Sequence, residues 1–159
     1  MLYKIGIARL EDIQDVFNLS NDSDVRKNSF NTSKIIWQDH VKWFEDKIIN
    51  NDDCVYFVVR NELNKFIGQV RFDRIADEKN AYIVNISLHK DFRGKGLGTE
   101  LLQKCANKLF YDFDAKKIYA YVREINEPSL KTFNKIGYKI VGDKICNDVK
   151  FLKLQYCKN

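Results

Sequence analysis

From Tyr3 to Arg9 apolar and polar residues alternate closely enough to predict a first strand. The period lengthens at Leu10-Glu11-Asp12-Ile13, where a helix opens with Ile13, Val16, Phe17 and Leu19 on one face. The short polar side chains of Asn21-Asp22-Ser23-Asp24 compete for backbone hydrogen bonds and break it. Thr32 or Ser33 is placed to cap a second helix, whose positions Ile36, Val41, Trp43, Phe44 and Ile48 form an imperfect apolar stripe. Two β-branched and aromatic runs, Cys54 to Arg60 and Lys65 to Arg74, flank the turn residues Asn61-Glu62-Leu63-Asn64 and predict a hairpin. A second turn at Asp77-Glu78-Lys79-Asn80 leads into the apolar strand Ala81 to Leu88. Thr99 to Asp112 has helical period, with Leu101, Leu102, Cys105, Leu109 and Phe110 inward, and Lys117 to Val122 returns to strand. Pro128 suits the first turn of a helix that stops at Gly137, and Ile140-Val141 with Val149 to Tyr156 supply the last strands. A meander followed by helix, strand, helix and hairpin predicts an α/β (α+β) domain with a mixed sheet.

Composition narrows the class without choosing a chemistry. At 159 residues the chain is read as a single domain, 1–159. No apolar run reaches the roughly 18 residues of a membrane helix, and the first residues enter strand-like sequence without a signal-peptide pattern, so a cytoplasmic protein without a membrane partner is expected. Four cysteines (Cys54, Cys105, Cys146 and Cys157) show neither paired spacing nor histidine partners in register; reduced thiols and no metal site are expected. The net charge of +5 suits an anionic ligand, yet lysines and acids are interleaved rather than gathered, so no nucleic acid partner is expected.

The chemistry concentrates in Leu88-His89-Lys90-Asp91-Phe92-Arg93-Gly94-Lys95-Gly96-Leu97-Gly98-Thr99, between a strand and a helix. Glycines at 94, 96 and 98 permit a tight turn and a close ligand approach. The helix that follows offers unpaired N–H groups and the positive end of its dipole, and Arg93 and Lys95 add charge for phosphate oxygens. Such a loop suits a pyrophosphate, although a glycine-rich turn without a ligand has the same spacing. The glycine spacing is wrong for a dinucleotide fingerprint, and no Gly-Lys-Ser/Thr ends the run as a P-loop requires.

Arg93-Gly94-Lys95-Gly96-Leu97-Gly98 resembles the Arg/Gln-x-x-Gly-x-Gly/Ala signature of the GNAT acetyltransferase superfamily. A second block, Asn126 to Tyr138, agrees in order and spacing, with its asparagine, a small residue three places on and an aromatic after Gly137. The resemblance implies a GNAT fold: a central sheet of six to seven strands, about four flanking helices and a splayed strand pair forming the coenzyme cleft. It implies an acetyl-CoA-dependent N-acetyltransferase without a metal, and it is compatible with a homodimer. Ile86 and Leu88 would pair through their backbone with the pantetheine arm, and the amides of Arg93, Gly94, Lys95, Gly96, Leu97, Gly98 and Thr99 would hold the pyrophosphate. Asn126 would hydrogen-bond the pantetheine, the helix from Ser129 to Phe133 would flank the thioester, and the Leu88 N–H would steady the developing oxyanion.

This sequence also departs from the family pattern. Phe133 stands where many members carry a tyrosine that protonates the leaving thiolate, and Ile83 stands near the usual glutamate. Asn85 and Ser87, two residues apart on one strand, are candidates for orienting a water, or are polar residues facing solvent or a neighbouring strand. His89 is read as a surface histidine. The segments 19–31, 36–44 and 68–73 resemble enzymes that acetylate the 4-amino group of a UDP-linked deoxy sugar in pseudaminic acid-type pathways. On that reading Trp37, Trp43 and Phe30 offer faces for a sugar or uracil, Arg26, Lys27 and Arg71 meet the diphosphate, and Asn28 joins the substrate-binding set. The alternative is that Trp43 and Phe44 are helix core and the basic residues solvated surface. Enzymes acting on ribosomal-protein N-termini share the tryptophan-rich helix, so a peptide amine stays open, as does a catalytically silent acyl-CoA-binding module.

Overall fold

The computed structural model describes residues 1–49 and 52–159. Seven strands, β1 (Tyr3–Ile7), β2 (Cys54–Asn61), β3 (Phe66–Arg74), β4 (Ala81–Leu88), β5 (Lys117–Arg123), β6 (Lys139–Cys146) and β7 (Val149–Cys157), form one sheet in the order β1-β2-β3-β4-β5-β7-β6. Among the described residues five α-helices accompany them: α1 (Ile13–Ser20), α2 (Ser23–Lys27), α3 (Trp37–Ile49), α4 (Leu97–Asp112) and α5 (Glu127–Ile136). Every neighbouring pair is antiparallel except β4 and β5, which run parallel.

Sidedness follows the period-two alternation of the strands. Val70, Phe72, Tyr82, Val84, Ile118 and Leu154 turn to one face and close on Leu102, Cys105 and Leu109 of α4 and Phe133 of α5. On the opposite face Cys54, Tyr56 and Val58 meet Val16, Leu19 and Phe44 of α1 and α3. Burial pushes the thiols of Cys54 and Cys105 up to about 12, so both stay protonated and inert.

The helix boundaries correct the expectation around residues 21–36. The Asp22 carboxylate accepts from the N–H groups of Asp24 (3.0 Å) and Val25 (3.2 Å), so the chemistry that ends α1 also starts α2. Neither Thr32 nor Ser33 caps the next helix. Arg26 binds the carbonyls of Asn31 and Ser33, while Asn21 binds both backbone groups of Ile35. With those groups occupied, the first helical bond runs from His40 N–H to the Ile36 carbonyl (3.0 Å). Similarly, α4 begins at Leu97 rather than Thr99, and β6 extends well beyond Ile140-Val141.

One glycine is fixed by space rather than by torsion. A Cβ on Gly68 would lie 2.4 Å from the Ser87 carbonyl oxygen and 2.8 Å from Leu88 Cδ2, so β3 can approach the end of β4 this closely only without a side chain there.

Candidate active site

The site begins where the sheet opens. The parallel pairing of β4 with β5 covers Ala81–Lys117, Tyr82–Ile118 and Ile83–Tyr119, after which the strands part although both continue. His89 donates its backbone N–H to the Ile67 carbonyl (2.8 Å), which fixes the antiparallel alternation along β4. The odd-numbered residues therefore exchange bonds with β3, while Ile86 and Leu88 turn their backbone groups toward the opening. Arg93 Nε donates to the Leu88 carbonyl (2.9 Å), leaving the Leu88 N–H as the group directed into the gap.

The glycine loop stands at the mouth of that gap. Gly94 and Gly96 take left-handed φ of 74° and 78°, and a Cβ at either would meet only open space. The first bond of α4 joins Glu100 N–H to the Gly96 carbonyl (3.3 Å), so the amides of Leu97, Gly98 and Thr99 precede any intrahelical partner, and no side chain caps them. These groups and the helix dipole fit an anion. The Arg93 amide instead bonds the Lys90 carbonyl (3.3 Å). Its guanidinium reaches across to Asp22 (3.1 Å) and Asp24 (3.2 Å), so the arginine of the motif braces the loop against α2 rather than presenting charge to its open side. Lys95 Nζ donates to the Asp91 carbonyl (3.1 Å) and stays exposed.

The Asn126 carboxamide oxygen accepts from Ser129 N–H (3.4 Å) and caps α5, and its amide NH2 has no protein partner among the described residues. Phe133 is 4% exposed, its ring set edge-on to Tyr138 with centroids 4.8 Å apart. Its ring is therefore a core contact rather than a wall of the opening. Burial raises the Tyr138 hydroxyl and leaves it without a partner, so this phenol holds its proton.

Asn85 and Ser87 come together through a residue the sequence analysis did not single out. Gln69 on β3, 3% exposed, donates from Nε2 to Asn85 Oδ1 (2.7 Å) and Ser87 Oγ (2.8 Å), and its own Oε1 is buried without a partner. The signal was present: a glutamine between Gly68 and Val70 in a strand, in register with Ser87. His89 is not part of this group, since its Nδ1 accepts from Asp91 N–H (3.2 Å) and caps the turn before the glycine loop.

The acceptor-side residues separate into distinct roles. Arg26 binds the carbonyls of Ser20, Asn31 and Ser33 and the Ser29 hydroxyl, which makes it a loop clamp. Asn28 closes α2 on the Asp24 carbonyl (2.9 Å). Arg71 is tied through Nε to Asp73 (2.9 Å) and lies over the rings of Trp43 and Tyr56. Burial alone would raise the Asp73 carboxyl, but the Arg71 and Lys47 charges outweigh it and hold Asp73 below the ordinary carboxylate value. Arg26 and Arg71 are thus engaged within the fold. Trp37 packs edge-on to Phe17 at 5.0 Å, beside α1. Phe30 lies on Tyr121 of β5 (5.7 Å) and Phe151 of β7 (4.5 Å).

A sheet parted after one parallel pair, with an amide-lined glycine turn at its mouth, defines a class, and comparison with known proteins agrees. Residues 6–139 match the acetyltransferase (GNAT) domain family, so the chain belongs to the GNAT acetyltransferases and is an acyl-transferring enzyme. An N-alpha-acetyltransferase of Sulfurisphaera tokodaii is 32% identical over 143 residues, covering 87% of this chain and 81% of that protein. Among solved structures, spermidine N-acetyltransferase of Vibrio cholerae with CoA and spermine superposes with a TM-score of 0.86 at 18% identity, covering 98% and 95% of the two chains. RimL, a ribosomal-protein alpha-N-acetyltransferase bound to coenzyme A, gives 0.85 at 13% identity over 99% and 94%. Among the described residues no helix is long and apolar enough to cross a membrane, and no group of histidine, cysteine or acidic residues is arranged to hold a metal.

Proposed function

We propose that this enzyme transfers an acetyl group from acetyl-CoA to the 4-amino group of a nucleotide-linked amino-deoxy sugar, with both substrates bound together. The observation that carries the transfer is the parting of β4 from β5 beyond Ile83–Tyr119, with the Gly94–Thr99 amides at its mouth. Acetyl-CoA supplies a thioester carbonyl; the acceptor nitrogen forms the new C–N bond, the C–S bond breaks and the coenzyme leaves as its thiolate. Ile86 and Leu88 hold the extended arm through their outward backbone groups, and Asn126 donates to it. The Gly94–Thr99 turn binds the pyrophosphate. Leu88 N–H stabilises the negative charge that develops on the carbonyl oxygen. Asn85 and Ser87, fixed by Gln69, orient a water that accepts the amine proton. Phe133 has no hydroxyl and the buried Tyr138 phenol holds its proton, so positioning carries most of the rate and solvent protonates the thiolate.

A basic and aromatic face beside the opening, carrying Lys144, Lys153, Tyr121 and Phe30, supports an acceptor with a negative charge and a flat ring. A peptide α-amine is the second reading, favoured by the name of the Sulfurisphaera tokodaii relative. Thiol release from acetyl-CoA, measured with a UDP-4-amino-4,6-dideoxy sugar beside a panel of N-terminal peptides, separates the two. Turnover on the sugar nucleotide alone is expected. Turnover on peptides alone moves the assignment to protein acetylation, and coenzyme binding without turnover on either removes the sugar assignment.

A further inference from the structure

The helices cover the inner faces of the sheet unequally. On the face that carries Asn85 and Ser87, α1 and α3 close over β2 and β3, whereas the β5–β7–β6 side is met by the loop bearing Phe30. Register places Tyr119 and Tyr121 of β5, Lys153 and Phe151 of β7 and Lys144 of β6 together on this side. Lys153 Nζ stands 4.3 Å from the centre of the Tyr119 ring and 6.0 Å from that of Tyr121. Lys144 Nζ stands 5.0 Å from the Phe30 ring and 5.6 Å from Tyr121.

An aromatic face holds an ammonium in place without neutralising it. Neither lysine forms an ion pair with a carboxylate among the described residues. Glu78, the acid bound to Tyr119, accepts from its hydroxyl (2.8 Å) and lies 3.9 Å from Lys117 Nζ. Two charges are thus fixed about a common ring, Tyr121, on the strand that flanks the opening.

We propose that Lys144 and Lys153 form the subsite for the diphosphate of the acceptor, with Phe30 and Tyr121 as the apolar surface for its nucleoside. This rests on the nucleotide-sugar reading and gives it residues. β7 lies across the opening from β4 with β5 between them, at least two strand spacings or about 10 Å away. That span suits an acceptor whose amine and phosphates sit at opposite ends of one sugar ring. The ammonium groups donate to phosphate oxygens, and the rings that position them keep the pair ordered before the ligand arrives.

The test is calorimetric titration of UDP into protein saturated with CoA, so that the glycine turn is already filled. Binding is expected, weakened by added salt. Lys153→Met and Lys144→Met should each weaken it about tenfold, the double variant more, with CoA affinity unchanged as the check on folding. Lys153→Arg should keep most of the affinity, and uridine should bind far more weakly than UDP. No UDP binding by the CoA-saturated wild type, equal binding by the double variant, or uridine binding as tightly as UDP would each overturn the subsite. If UDP binds through the two lysines but no UDP-amino sugar turns over, the subsite stands and the acceptor amine must be sought elsewhere.

Discussion

Gly96 and Gln69 show how single residues set this site. An L side chain at φ 78° costs on the order of 1–2 kcal/mol, so Gly96→Ala should lower stability by about that amount. Its larger effect should be on the turn itself: relaxation away from left-handed φ swings the Leu97–Thr99 amides, and the KM for acetyl-CoA should rise about tenfold. A KM unchanged in a folded variant would remove the turn from the coenzyme site. Gln69→Leu tests the other side of the opening. It removes both donors that fix Asn85 and Ser87, and it also removes a buried oxygen without a partner. Stability should change by less than about 1 kcal/mol, because deleting the orphan offsets the lost bonds. The kcat should fall about tenfold with the KM for acetyl-CoA held, a split that steady-state kinetics reads directly.

At the scale of elements, α3 carries a pH dependence. His40 is 2% exposed, with Nε2 on the Ile13 carbonyl at 3.0 Å among the rings of Phe17, Trp37, Trp43 and Phe44. Burial lowers its pKa from the ordinary 6.5. As pH falls through 6.5 the unfolded chain takes up a proton that the folded chain refuses, so stability declines on the acid side. The melting temperature should fall between pH 7 and 5.5 in the wild type, by more than in His40→Gln, which keeps a donor for Ile13; parallel curves would refute this (pH span set by the ordinary histidine range of about 5 to 8).

The elements were largely legible because their signals are local. Alternation gave the strands, the period of Leu101, Leu102, Cys105 and Leu109 gave α4, and Pro128 with Gly137 bracketed α5. Residues 21–36 were not legible, since Asn21 and Arg26 form that loop by reaching backbone carbonyls far along the chain. The left-handed turn before α4 was readable from its glycines. The acceptor side was not: whether a cation is free depends on its neighbours in space, and periodicity carries no trace of the Asp73 that holds Arg71 or the rings under Lys144 and Lys153.

For the molecule as a whole, Arg93 makes one body of two regions. Its guanidinium joins the turn before α4 to the Asp22–Asp24 cap of α2, while its Nε holds the end of β4. Arg93→Ala should therefore raise the KM for acetyl-CoA and for the acceptor together. In a double-mutant cycle with Asp22→Asn, the coupling in stability should be within about 1 kcal/mol, as the pair is partly solvated. Additive effects on both KM values would deny the connection.

The three rungs from Ala81–Lys117 to Ile83–Tyr119 are the direct ladder between the β1–β4 half of the sheet and the β5–β7–β6 half. Past them the sheet has a seam, and under the proposed function a chain-like molecule lying in it would bond to Ile86 and Leu88 as a strand does. A substrate bound there would act as a splint across the two halves of the protein. Its arrival should slow hydrogen exchange at those two amides, and each turnover, by withdrawing the splint, loosens the sheet that carries out the reaction.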